Sequence, residues 1–242
     1  MHRALAHYGL DRVEIITAVV LVILLSSVWL LLLPQVCHFW TQVLDTGIRV
    51  LPLRAELGLH EYHLTSNVSL VVPYPGMEAV LPDTRTWAVT GIVTILLFAV
   101  TYFLPSHLVP VIYLLRGVLL IQATALVYFG LIPAEFSHTP SGYLQGLLAA
   151  GLALISTIPL LFGLTFYIFD FSLIKKLSLT AMTMAHLVVF LPLQLLLQAL
   201  VLQKTVLFLP VLYIIFGLPL DVLIIIGFYS WGMTWYFKSE EA

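Results

Sequence analysis

Charge is what this chain has least of. Only 9% of its 242 residues are Asp, Glu, Lys or Arg, against 61% hydrophobic. A soluble domain carries roughly a quarter charged residues. No soluble core hides this much apolar surface, so lipid must be the solvent. The net charge of -2 gives no pull toward nucleic acid. Basic clusters and nucleic-acid motifs are missing as well. The single cysteine, Cys37, excludes an internal disulfide and any CxxC metal or redox site. At a membrane edge it reads as a small apolar residue. Nucleophile elbow, P-loop, dinucleotide fingerprint and zincin helix are all absent. So are paired carboxylates at catalytic spacing, because Glu240-Glu241 belong to a polar tail.

What is present is a series of apolar runs: residues 13–33, 86–104, 109–132, 142–169, 177–202 and 206–236. About twenty apolar residues cross a bilayer. The expected fold is therefore an all-α polytopic membrane protein, a six-span helical bundle. The first run is too long for a signal-peptide core and lacks a small-residue cleavage site, so it reads as a retained span. The chain divides into residues 1–34 (N-terminus and first helix), 35–85 (an exterior loop), 86–237 (five further helices) and 238–242 (a tail). Lys175-Lys176 lie in a very short turn and mark its side as cytoplasmic. Both termini then lie in the cytoplasm, and loop 35–85 faces the periplasm or exterior. A bacterial inner membrane is the expected location.

The loop has two parts. Val36, Phe39, Trp40, Val43, Leu44 and Ile48 recur at helical spacing and predict a surface helix, separated from the first span at Pro34. Residues 64–72 alternate apolar with polar and predict a strand. Pro73-Tyr74-Pro75-Gly76 reads as a turn, with residues 77–81 returning as a second strand. Two strands alone are marginal. The hairpin is expected to lean on the bundle or join a partner's sheet. Asn67-Val68-Ser69 is a glycosylation sequon, relevant only in a eukaryotic secretory setting.

Ionisable residues inside apolar runs point to function by default. Here they are Arg116, His186 and Asp221, expected to form one buried polar cluster. Its functional reading is a proton relay, ion relay or polar substrate pocket; its structural reading is a knot joining three helices or a polar contact with another subunit. Gln194 and Gln198 share a helix face and are expected to bridge helices. Gly217-Leu218-Pro219 should break or kink the last span just before Asp221. Gly142, Gly146 and Ala150 recur every four residues and predict a close-packed seam, within the chain or between subunits.

His60, His63 and His138 are the candidate metal ligands, with His38 a possible fourth. On a strand His60 and His63 point to opposite faces, so no metal and no other cofactor is expected. Pro140-Ser141-Gly142 resembles the start of the PSGH element of membrane phosphatidic-acid phosphatases. Tyr143 stands where that element has its catalytic histidine, and the family's basic first motif and distal Ser-Arg…His motif are missing. Ser141 serves equally as a helix cap.

The leading expectation is a non-catalytic integral subunit or scaffold of an inner-membrane complex. Its partners would be the lipid bilayer and other membrane or periplasmic subunits, not nucleic acid. The alternatives are a translocation component centred on Asp221, His186 and Arg116, and an intramembrane enzyme acting on a lipid or lipid-linked substrate. The enzyme's residues would be His60, His63, His138 and Arg116.

Overall fold

A computed structural model describes residues 12–65, 68–165 and 172–237. Asn67 of the sequon, Arg3, Lys238 and the 238–242 tail lie outside them. The chain is mostly helix, with one two-stranded antiparallel sheet. Five helical segments are long and apolar enough to cross a membrane.

Helix α1 runs from Arg12 to Val50 without stopping at Pro34. The expected surface helix is therefore the second half of α1. Proline removes the donor that would pair with the carbonyl one turn earlier. The side-chain amide of Gln35 folds back beside the gap, its nitrogen within reach of Leu31 O at 2.8 Å and Leu32 O at 3.0 Å, while Leu30 O is the carbonyl left without its helical donor. A buried stripe of Trp29, Leu33, Cys37, Trp40 and Leu44 also passes straight through the proline. Packing on that stripe holds the helix together where local signals alone would end it. At about 1.5 Å per residue its 39 residues span roughly 58 Å, about twice a hydrocarbon core. The outer faces remain apolar: Leu31 is 73% exposed, Ile95 71% and Phe103 86%. Such a surface is stable only against lipid or protein.

The hairpin forms earlier in the chain than its turn signals suggest, reversing between residues 65 and 68 and not at 73–76. Strand β1 is Glu56–Thr65 and strand β2 is Val68–Gly76. Pro73 and Pro75 lie inside β2, opposite Leu59 and Leu57, and residues 77–81 are not a strand. Spacing by two resolves the apparent conflict. Both prolines take positions whose missing N–H faces away from the partner strand. Tyr74 lies across Gly58, its partner in the register, and a side chain at 58 would collide with its ring. β2 packs against both α1 and α4 (Pro140–Thr165), with Leu70 and Val72 buried.

α2 is Thr84–Val100, α3 Val109–Leu131 and α5 Leu173–Leu202. Asp83 caps α2, accepting from Thr86 N at 3.0 Å, and hydrogen bonding from the Thr86 side chain and then its backbone holds the Asp83 carboxyl below the usual range. Because α2 has 17 residues, it reaches only about 26 Å, short of a full hydrocarbon core. The run at residues 206–236 divides into α6 (Leu209–Phe216) and α7 (Leu218–Phe237).

α5 is the bundle's axis. Leu179, Thr183, Leu187, Leu191, Leu195, Gln198 and Leu202 are buried at helical spacing, and α1, α4, α6 and α7 all pack on it. Within the chain, the close packing on α4 does not run along Gly142, Gly146 and Ala150. Nothing lies within 4 Å of a Cβ placed on Gly146, and one on Gly142 meets only Thr139. The buried α4 face is instead Leu144, Leu147, Leu148, Gly151 and Ile155. A Cβ on Gly151 would stand 2.5 Å from the Leu191 side chain, so α4 approaches α5 there. The small-residue stripe lies nearly half a turn from the face that the larger apolar residues select.

Candidate functional site

The last run breaks where glycine and proline meet. Pro219 has no N–H, and Leu220 N bonds Gly217 O at 3.0 Å in place of Phe216 O. Phe216 O is thereby freed inside the bundle, where water is absent and an unpaired carbonyl is costly. Two buried amides of α5 take it: Gln194 Nε2 and Gln198 Nε2 both donate to Phe216 O, the latter at 2.6 Å. Tyr143 of α4 then donates its hydroxyl to Gln198 Oε1 at 2.5 Å. One chain of hydrogen bonds thus ties α4, α5 and the end of α6.

Asp221 lies on the first turn of α7 and is fully buried. Gln194 lies beside its carboxyl. Even so, neither Asp221 oxygen has a well-formed hydrogen bond, and Gln194 Oε1 has none either. One hydrogen of the Gln194 amide nitrogen serves Phe216 O, which leaves the Asp221 carboxyl and Gln194 Oε1 short of donors. A hydrogen supplied between them would satisfy the pair. Asp221→Asn brings such a donor at unchanged volume. It is expected to keep or raise the unfolding midpoint, whereas Asp221→Leu lowers it; thermal unfolding in detergent separates the two.

The other two ionisable residues do not join Asp221. Arg116 Nε donates to Thr101 Oγ1 at 2.9 Å, and its guanidinium lies 4.5 Å from the centre of the Tyr102 ring. This ties α3 to the end of α2. His186 is exposed, stacking on Phe190 at 5.5 Å and meeting Phe228 at 5.2 Å. The expected single cluster is therefore three separate environments. Only Asp221 shares its surroundings with the amide pair.

His60, His138 and His38 each have neighbours of their own. His60 contacts Tyr62, His138 contacts Phe136, and His38 pairs with Gln42. The side chain of His63 lies outside the described set. Among the described residues no group of three His, Cys, Asp or Glu is placed to hold a metal ion. Ser141 is fully engaged, since its Oγ donates to Met77 O and accepts from Met77 N, both at 2.7 Å. That two-way bond roots the hairpin on α4. Ser141→Ala leaves both backbone groups unpaired and is expected to cost about 1–2 kcal/mol. Faster amide exchange at Met77 would report it.

Two contacts carry no sequence signal of their own. Trp40 Nε1 donates to Val188 O at 2.7 Å, the carbonyl that Pro192 leaves without its helical donor. Trp87 Nε1 donates to Leu126 O at 2.8 Å, joining α2 to α3. A tryptophan on one helix and a proline four residues past an open carbonyl on another are the only hint available. No family model, curated protein or solved structure matches the chain.

Proposed function

We propose that the protein is a non-catalytic integral subunit or scaffold of a membrane protein complex. In this reading six passes cross a bacterial inner membrane, both termini are cytoplasmic and the hairpin stands outside. Lys175-Lys176 support the orientation by the positive-inside rule. One observation carries the docking role, the outer edge of β1. A two-stranded sheet leaves each strand one free edge. On β2 the edge lacks the donors of Pro73 and Pro75 and is packed among helices. On β1 the positions opposite those prolines, Leu57 and Leu59, direct N–H and C=O outward. Leu59 is 59% exposed, and His60 and Glu61 are exposed beside it. An open edge of this length is a template for an added strand. The buried polar groups, by contrast, serve helix contacts.

Leu59→Pro tests this reading. It removes one outward donor while leaving the β1–β2 bonds in place. Purification in mild detergent should show the bundle at its normal unfolding midpoint with a stoichiometric partner lost. An unchanged partner set would count against docking at β1.

A second reading, a translocation component, is favoured by the unpartnered Asp221 carboxyl at a broken helix. It requires Asp221→Asn to abolish transport at normal protein level.

A further inference from the structure

We propose that the groove at the root of the hairpin binds the headgroup of a phospholipid carrying both a phosphate and a primary ammonium. The groove has a volume of about 870 Å³. It opens beside the ends of three long helices: Val50 of α1, Pro140 of α4 and Leu202 of α5. Helix ends of this kind meet lipid headgroups.

Three charged side chains line it: Arg54, Glu56 and Glu78. All three are exposed. Among the described residues no ion pair joins these three. Opposite charges therefore share a groove without neutralising each other. A ligand bearing both signs bridges them. Its phosphate meets the Arg54 guanidinium, and its ammonium donates to the two carboxylates. A purely anionic headgroup meets two carboxylates for one guanidinium. A quaternary ammonium has no hydrogen to donate. Leu53, Leu57 and Val80 supply the apolar wall against which the first acyl carbons rest.

The groove is preformed. Arg54 N donates to Gln203 Oε1 at 3.2 Å, and Val206 N to Val80 O at 2.9 Å. Met77, on the same wall, is fixed by Ser141. A rigid frame lowers the ordering cost of binding.

The test uses the full chain in nanodiscs of phosphatidylcholine, alone or doped with phosphatidylethanolamine or phosphatidylglycerol. Phosphatidylethanolamine should raise the unfolding midpoint by several degrees over the other two. The double variant Glu56→Gln/Glu78→Gln should lose that increment while keeping the wild-type midpoint in pure phosphatidylcholine. Arg54→Gln should reduce it. Soluble phosphoethanolamine added to phosphatidylcholine discs separates the sources. An equal rise assigns recognition to the free headgroup, and no rise assigns it to the lipid. Equal midpoints in all three lipids would overturn the proposal. So would an undiminished phosphatidylethanolamine increment in the double variant.

Discussion

Trp40→Ala is expected to destabilise the bundle by about 3 kcal/mol or more, near the low end for a buried tryptophan. The low end applies because lipid lies close to the bundle and burial from lipid is worth less than burial from water. Two losses combine. Trp40 is fully buried between α1 and α5, so truncation opens a cavity. Its indole also supplies the donor that Val188 O lacks because residue 192 is proline. Trp40→Phe keeps most of the ring and removes only the donor, so it should cost about 1–2 kcal/mol. Pro192→Ala restores a backbone N–H toward Val188 O. In that background Trp40→Phe should cost clearly less. Thermal or denaturant unfolding of the four proteins measures the coupling. Strict additivity would show that the tryptophan acts by volume alone.

Gly217→Ala is the second large effect, expected at about 3 kcal/mol. The residue has φ -101° and ψ -159°, which any residue adopts. The constraint is contact. A Cβ there would overlap the carbonyl oxygen of Tyr213, a backbone atom that cannot swing aside. The α6–α7 break would have to widen, drawing Phe216 O away from Gln194 and Gln198. The unfolding midpoint should fall, and amide exchange should rise through residues 213–221. A normal midpoint would mean that the break relaxes freely and that the amides do not hold it.

Long apolar runs are legible because lipid demands them over many residues, so no single substitution hides the signal. Punctuation by proline is less legible, since it depends on what lies nearby. Pro34 reads as a helix end, yet packing along the Trp29–Trp40 stripe carries α1 past it. Pro73 and Pro75 read as a turn, yet at a spacing of two they fit the outer side of a strand. At the candidate site, Gly217-Leu218-Pro219 is a local signal and the helix does divide there. The shared face of Gln194 and Gln198 is local too. Their common acceptor is not, being a backbone carbonyl that becomes free only because another helix breaks. Arg116 and His186 read as partners of Asp221 on depth alone. Depth says nothing of azimuth, and each turns instead to its own neighbours, Thr101 and Tyr102 or Phe190 and Phe228.

In the proposed scaffold, β1 presents the docking edge while the buried polar groups hold the bundle. A photo-crosslinking residue at position 60, compared with one at the lipid-exposed position 160, addresses it in intact cells. Docking at β1 requires a discrete protein adduct from position 60 that Leu59→Pro removes, with none from position 160. If position 60 gives no more adduct than position 160, or Leu59→Pro leaves the adduct unchanged, the hairpin edge is not the docking surface.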